Sequence, residues 1–398
     1  MSTRRNFLMT SVGLVSAAAP LMGRSQALPC PPPQVSAGAT NPTATACTSS
    51  NMPAYIASMS PFQVRSLIGN YAPSNGTSTL RSLMPSMWSG NDDIMRPWSG
   101  GAKSTSGTKM YVHGGGHSDS SNNSLTSFDF AGNSQPTGWR LENTGQTGVT
   151  SDFATGSTGA PISVHTYDGM VDMGADLYRF GGSSYPSGGF TVQMLRYNKA
   201  ASTWTRLPNW ASSAPQFAGM AVGNPSTGKI LLMDRFVSYF TYAFYRVATN
   251  DWSTRRNASA QWVGDGSAAF DPVTNTGLVI GANNESGVFA FSIGINWSAE
   301  TITQTARSIN GIGSGCALIW DPTRACYWSF GSSNNNSTLF EINPTTFAVT
   351  PHTLTGDAPL LPESSSHGHF GRWVFLNSWR AIGSVSSRTS PAFIVRLP

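Results

Sequence analysis

Short apolar runs separated by turn residues follow one another along most of the chain. Examples are "GMAVGNPSTGKILLM" (219–233), "AAFDPVTNTGLVI" (268–280) and "CALIWDPTRACYW" (316–328), each with two apolar runs joined by Pro, Asn, Asp, Gly or Thr. Runs of this length, joined by residues that favour turns, predict antiparallel hairpins rather than helices. The pattern therefore indicates an all-β protein from about residue 94 onward.

Aromatic residues repeat at the ends of these runs. An aromatic that closes one predicted strand is followed by another in the next strand at Phe130 and Trp139, Tyr197 and Trp204, Tyr245 and Trp252, Phe291 and Trp297, and Phe340 and Phe347. The pairs recur at roughly 45 to 65 residues, which indicates a repeated four-stranded meander. Such a unit cannot bury both faces alone, whereas radial stacking covers the faces and leaves no long open edge. We therefore predict a β-propeller.

The blade count follows from the same pattern. The chain supplies six blades, or seven if residues 51–92 form one. The last segment, "GRWVFLNSWRAIGSVSSRTSPAFIVRLP", contains only three predicted strands. We therefore expect a strand from the N-terminal region to close the ring, with the propeller spanning residues 51–398.

The N-terminal segment predicts export. Residues 1–27 combine paired arginines, a short apolar run and a small-residue end, and their "TRRNFL" resembles a twin-arginine signal, with an ordinary secretory signal as the alternative. Residues 28–50, rich in Pro, Ala and Thr, read as a linker. No later apolar stretch is long enough to span a bilayer, so we expect a periplasmic or secreted protein.

Charge and cysteine content restrict the partners and the redox state. Only 11% of residues are charged, and without Arg4, Arg5 and Arg24 of the signal 21 basic residues face 19 acidic ones. We therefore expect a monomer that binds no nucleic acid. Four cysteines in an exported chain predict two disulfides, and of the three pairings we favour the local ones, Cys30–Cys47 and Cys316–Cys326.

The second predicted blade carries a family resemblance. "RFGG" (179–182) followed by "LRYNKAASTWTRL" (195–207) is similar to a kelch motif, with its glycine pair and spaced Tyr and Trp. The chain thus resembles the kelch and galactose-oxidase-like propellers over residues 94–398. Only the first two blades keep the glycine pair, and Phe347 stands where Trp is usual. The resemblance implies the fold and leaves open enzyme, lectin and scaffold functions.

Propeller topology brings distant residues to one rim. The segments that follow each second strand and those that precede each first strand emerge on the same side of the disc. The candidates gathered there are His117, Asp119 and Asn122, Arg235, Trp98, His165 and Tyr167, and His369 and Arg372. Gly114 to Gly116 are expected to permit close backbone approach and a positive φ, which lifts His117 onto the rim. His113, on the strand itself, is expected to be packed.

These residues can be arranged as a proton-transfer site. His117 or His165 is the predicted base and Tyr167 the acid, with Arg235 or Arg372 neutralising a uronate carboxylate. Trp98, Asn122 and His369 are predicted to line the substrate path. Each has a structural alternative, which is strand packing for the histidines and an inter-blade link for the arginines.

We therefore expect a carbohydrate-active propeller, most concretely a polysaccharide lyase that cleaves a uronic-acid polymer by β-elimination. The combination "GGGH", "HTY" and "GRW" looks similar to propeller lyases of the ulvan-degrading type. Two alternatives stay open, a non-catalytic glycan-binding or scaffold propeller and a copper-radical oxidase of the galactose-oxidase type. We name no cofactor, although zinc on His117, His165 and His369, or a calcium ion, remains an alternative.

Overall fold

Strands build nearly all of the regular structure. The computed structural model describes residues 52–83, 94–95, 98–102, 107–117, 119–149, 159–209, 217–236, 239–259, 264–283, 287–313, 315–330, 337–357 and 368–398. The predicted signal, the predicted linker and their cysteines, Cys30 and Cys47, lie outside these residues. One four-residue α-helix, Ala54–Ala57, and the 3₁₀ turns Gly69–Tyr71, Leu80–Ser82 and Asn377–Trp379 are the described helical segments.

Six sheets follow one another along the chain as the blades of a β-propeller. Blade 1 contains Gly101–Ala102, Lys109–Val112, Leu125–Asp129 and Gly138–Asn143, and blade 2 contains Met170–Asp172, Asp176–Phe180, Met194–Asn198 and Thr203–Arg206. Blade 3 contains Phe217–Asn224, Lys229–Phe236, Tyr239–Arg246 and Asp251–Trp252, with Arg256–Ser259 also beside its third strand. Blade 4 contains Gly264–Asp271, Thr276–Asn283, Gly287–Asn296 and Thr301–Arg307. Blade 5 contains Leu318–Asp321, Cys326–Ser329, Thr338–Ile342 and Val349–Thr353.

Blade 6 is formed by both ends of the described chain. Its strands are Trp373–Leu376, Ala381–Ser384, Phe393–Arg396 and Gln63–Ser66, and the last of these also pairs in parallel with Thr355–Gly356. Two short strands, Val164–His165 and Ser183–Ser184, pair outside the blades. The described part of residues 51–92 contributes one strand and no sheet of its own, so the propeller has six blades rather than seven.

Hydrophobic cores lie between neighbouring blades, as radial stacking requires. One core joins Val171 and Tyr178 of blade 2 to Ile230 and Tyr245 of blade 3. In blades 2 and 3 the aromatic repeat marks the contact between third and fourth strands. Tyr197 pairs with Trp204 and Tyr245 with Trp252, and in both pairs the ring centroids are 5.1 Å apart. In these two blades the periodic aromatics therefore hold the outer strand of the sheet. In blade 1, Trp139 pairs with Phe128 rather than with Phe130. In blades 4 and 5, Trp297 and Phe347 lie between the third and fourth strands.

In five of the blades a left-handed residue lies just before the first strand or, in blade 4, at its second position. The residues are Trp98 (φ 51°), Tyr167 (φ 46°), Asp265 (φ 47°), Gly315 (φ 67°) and Phe370 (φ 43°). Backbone hydrogen bonds join neighbouring blades at this level, with Tyr167 N donating to Trp98 O at 2.7 Å and Gly315 N to Asp265 O at 2.8 Å. Five blades therefore share an uncommon backbone conformation near the start of the first strand. This is the rim on which the sequence predicts the candidate site.

A buried ion pair ties blade 5 to blade 6. Arg380 donates from Nη1 and Nη2 to the two carboxylate oxygens of Asp321, at 2.8 and 2.9 Å. Trp328 Nε1 also donates to Asp321, at 3.0 Å, and Arg380 reaches the backbone oxygen of Pro398. Asp321 is fully buried and Arg380 nearly so. Both charges are therefore satisfied by bidentate geometry and by neutral partners.

The predicted Cys316–Cys326 disulfide is wrong, because neither cysteine forms a disulfide and both are buried. The hairpin places Cys326 opposite Asp321 and Leu318 opposite Ser329. Cys316 precedes Leu318, so the two cysteines stand at opposite ends of the hairpin. A cross-strand disulfide requires two cysteines that lie opposite each other, at equal distances from the turn, and Cys316 and Cys326 do not. Burial raises the pKa of the Cys326 thiol above its usual value, so this thiol is unreactive.

Removal of the buried cation is expected to destabilise the propeller strongly. Arg380→Met leaves the Asp321 carboxylate buried without its counter-ion, and we expect a loss of about 3–5 kcal/mol in the free energy of unfolding. The matched control is Arg324→Met, because Arg324 pairs with Glu341 at a half-exposed site, where a pair contributes at most about 1 kcal/mol. Denaturant unfolding measures both. Equal losses in the two variants contradict the assignment of Asp321–Arg380 as the inter-blade tie.

Candidate functional site

The glycine run at 114–116 is a backbone device, as the sequence predicted. Gly115 and Gly116 have φ values of +90° and +80°. A Cβ on Gly116 would lie 2.3 Å from His165 N and 2.4 Å from Ser183 O, and one on Gly115 would lie 2.2 Å from Ser163 Oγ. Blade 1 therefore approaches the segments around blade 2 closely enough that only glycine fits.

His117 leaves this run exposed on the rim. Its backbone is left-handed, with φ 45°, and its N–H donates to Ser183 O at 3.2 Å. Its imidazole stacks on that of His165, with ring centroids 5.5 Å apart and planes at 15°. The structure thus brings together the two histidines that the sequence selected as candidate bases.

His165 is the buried member of the stack. Its ring is 1% exposed, and Nε2 lies 2.9 Å from Oδ2 of Asp119, a residue that follows His117 in the same loop. Burial lowers the pKa of His165 below its ordinary value, while the Asp119 carboxylate opposes that shift. His165 is therefore a neutral imidazole near pH 7, with an orientation and tautomer set by Asp119.

Aromatic side chains flank the two histidines. Trp98 lies 5.2 Å from His165, and Tyr167 meets His165 edge-on at 6.1 Å. Phe370 packs behind Tyr167 at 5.9 Å. Trp98 is half-buried, whereas Tyr167 and Phe370 are buried. We call His117, Asp119, His165, Tyr167 and Trp98 the rim cluster.

Three other candidates occupy closed positions. Arg372 is fully buried and donates to Val385 O and Ser386 O at 3.1 and 3.2 Å, and to Ser99 O and Gly368 O. These carbonyls belong to the approaches of blades 1 and 6. Arg372 therefore matches the inter-blade link that the sequence left as its alternative.

His369 and Asn122 are also buried. His369 packs between Phe330, at 5.0 Å, and Trp373, at 6.1 Å, and burial, with a smaller effect of Arg372, lowers its pKa to about 3. Its ring does not join the rim cluster. Asn122 Oδ1 accepts hydrogen bonds from N and Oγ of Ser124 at 3.0 and 2.7 Å, which organises the loop after His117.

Arg235 lies in the second strand of blade 3, where its backbone pairs with Phe217 and Phe240. Its side chain is outside the described part of the structure. His113 is fully buried beside Trp204, at 5.3 Å, and burial together with Arg179 lowers its pKa well below the ordinary value. It is packed, as predicted.

Asp119 was predicted to lie on the rim, but its contact with His165 was not predicted. The packing of Phe370 against Tyr167 was not predicted either. Asp119 becomes a partner of His165 only through the close approach of blade 1 to blade 2. Phe370 could have been found from a sequence pattern, in which an aromatic residue lies one or two positions before a glycine near the start of a first strand. The signal recurs in "WSG" (98–100), "YDG" (167–169) and "FGR" (370–372).

The chemistry of the rim cluster is the basis for interpreting the site, because comparisons with known sequences give no match. No protein-family model matches the chain, and no curated protein sequence matches it. Within the described ranges, no three His, Cys, Asp or Glu side chains lie together in a group that could hold a metal ion. In the same residues, no helix has the length and apolar character needed to cross a membrane.

The buried histidines are expected to make the fold sensitive to acid. The pKa of His369 is lowered to about 3 in the folded state, whereas an unfolded histidine titrates near about 6.5. The unfolded state therefore binds more protons below that pH, and stability falls as the pH drops from about 6.5 toward 3.

His369→Leu tests this dependence because it removes one such group and keeps an apolar filling. We expect the loss of unfolding free energy between pH 7 and pH 4.5 to be about 3 kcal/mol smaller in the variant than in the wild type. Denaturant unfolding at several pH values gives both curves. Parallel curves contradict a neutral, buried His369.

Proposed function

We propose that the protein is a carbohydrate-active propeller that cleaves a uronic-acid polysaccharide by β-elimination at the rim cluster. The observation that carries the proposal is the stack of an exposed His117 on an Asp119-bound His165, beside Tyr167 and Trp98. Histidine is the side chain best suited to exchange protons near neutral pH. Stacking and hydrogen bonding hold these rings in place, as proton transfer requires.

Exposure separates the roles within the cluster. His117 is exposed, whereas His165 is 1% and Tyr167 3% exposed. A polymer that docks on the rim therefore meets His117 first, and we assign His117 as the base and His165 as the residue that positions it. Trp98 is half-buried and offers a surface for the apolar face of a sugar ring.

The proposed reaction balances within the substrate and these side chains. His117 removes the proton from the carbon that bears the uronate carboxylate, and the electron pair forms a double bond to the neighbouring carbon. The bond from that neighbour to the glycosidic oxygen breaks, and the leaving oxygen takes a proton from Tyr167. The proton on His117 then returns to solvent and Tyr167 is reprotonated. The products are an unsaturated uronate and a new chain end.

Neutralisation of the substrate carboxylate is assigned to Arg235. Carbanion formation beside a carboxylate needs a cation close to it. Arg372 already donates to four backbone carbonyls, so its guanidinium serves the fold. Arg235 lies near the end of the second strand of blade 3, at the same end of its blade as His117 of blade 1.

We further propose that the propeller is of the kelch type. The "RFGG" glycines support this assignment, because Gly181 and Gly182 have φ values of +53° and +111° directly after the second strand of blade 2. The spaced Tyr197 and Trp204 then pair across the third and fourth strands. Export, which the N-terminal arginine pair suggests, suits a protein that acts on a large polymer.

A non-catalytic glycan-binding propeller is the second candidate. The saturation of Arg372 by carbonyls favours it, because this arginine is not available to neutralise a uronate. The burial of Tyr167 favours it as well. In that account His117 and Trp98 contact a sugar without proton transfer.

Loss of the base is expected to abolish elimination. The purified protein is incubated with a panel of uronate polysaccharides while absorbance near about 235 nm reports the unsaturated product of proton abstraction. We expect one polymer to give a rise, and His117→Ala to slow it by about 10²–10⁴-fold. The control is His352→Ala, in the outer strand of blade 5. A flat trace with folded wild-type protein across the panel rejects the lyase and leaves glycan binding.

The Asp119 partner is expected to matter through His165. Asp119→Asn replaces a carboxylate that accepts from His165 Nε2 with an amide that can donate to it, so the preferred tautomer changes. We expect at least about a tenfold fall in the elimination rate with little change in stability. Asp129→Asn, at the other end of blade 1, is the matched control. Equal rates in both variants mean that Asp119 does not position the stack.

A further inference from the structure

We propose that Gly188, in the loop Ser183–Phe190 of blade 2, is a positioning residue that sets the ring of His117. In the structure this loop lies against the His117 ring. Its effect on the reaction rests on the function proposed above. The loop belongs to blade 2 and the histidine to blade 1, so the active ring is held between two blades.

The loop is closed on itself by its own hydrogen bonds. Ser183 Oγ donates to Gly188 O at 2.9 Å, and Gly188 N donates to Ser184 O at 2.9 Å. Ser184 N and Oγ both donate to Gly189 O, at 2.7 and 2.8 Å. Tyr185 N donates to Ser163 O at 3.0 Å, which fixes the loop to the segment that also holds the glycine run. Gly188 is therefore held at a defined place.

At that place Gly188 meets one end of the His117 ring. A Cβ on Gly188 would lie 2.6 Å from both Nε2 and Cδ2, and 3.3 Å from Cε1. These distances are shorter than van der Waals contact, so a methyl group at position 188 requires the ring to move. The ring also stacks on His165, so any movement changes that stack. The His117 ring can therefore occupy its observed position on His165 only because residue 188 has no side chain.

Ring placement should affect proton transfer more than stability. His117 is exposed, so its displacement leaves no cavity in a core. A base displaced by about 1 Å can lose about 10²-fold in rate. Gly188 therefore acts on the reaction through His117, without contacting the scissile bond.

The chain offers a closely matched control for Gly188→Ala. Gly188 has φ +71°, and Gly148 has φ +72° with nothing within 4 Å of the position a Cβ would take. Alanine at either site carries the same backbone strain, and only alanine at 188 meets the His117 ring. The difference between the two variants isolates the contact.

Two readouts are combined so that the positioning role and the proposed function can fail separately. The first is a ring-proton NMR spectrum of histidine-labelled protein without ligand, in which six histidines give few signals and His117→Gln assigns that of His117. We expect Gly188→Ala to shift the His117 signal and Gly148→Ala to leave it unchanged. The second is the elimination rate, which we expect to fall at least about tenfold in Gly188→Ala only.

Each outcome decides one question. An unchanged His117 signal in Gly188→Ala, or the same change in Gly148→Ala, overturns the positioning role. A shifted signal in a protein that eliminates no polymer keeps the positioning role and rejects the lyase. If Gly188→Ala does not fold, Ser183→Ala removes the Oγ bond to Gly188 O without backbone strain, and the His117 signal must then shift.

Discussion

The close approach of backbones at the inner rim is the constraint on which the rest of the structure depends. The first strands of the blades converge there, and the distances leave no room for side chains. A Cβ on Gly100 would lie 1.6 Å from Tyr167 O, and one on Gly371 would lie 2.1 Å from Gly101 O. Left-handed residues at or just before the starts of the first strands turn the chain into this space, and hydrogen bonds between neighbouring blades hold it there.

The rim cluster is a consequence of this constraint. Trp98, His117 and Tyr167 all have positive φ, a conformation that persists only where the surroundings enforce it and that is common at functional sites. The same approach that requires glycine at 116 brings His117 onto His165 and brings Asp119 within 2.9 Å of His165. One imidazole is exposed and the other buried, which gives two histidines of the same chemistry different roles.

The fold could be predicted from the sequence because its signals are local and repeated. Aromatic pairs such as Tyr197 and Trp204 report a strand contact within a few residues, and turn residues mark each hairpin. The topology of a propeller then placed Trp98, His117, His165 and Tyr167 on one rim, and these four meet in the structure.

Side-chain direction and register could not be predicted in the same way. Arg372 and His369 also lie just before a first strand, yet they turn into the contact between blades, where carbonyls and aromatic rings surround them. Cys316 and Cys326 flank one turn but stand at opposite ends of the hairpin, because register depends on the pairing and not on spacing along the chain.

Chemical footprinting of His117 tests the central claim most directly, because the claim is that a glycan occupies the rim over this ring. The protein is treated with diethyl pyrocarbonate with and without each uronate polymer, and mass spectrometry follows modification of His117 and of His352 as the internal reference. The account predicts that a polymer retained by the protein slows the modification of His117 and leaves that of His352 unchanged. A retained polymer that leaves His117 as reactive as before contradicts it.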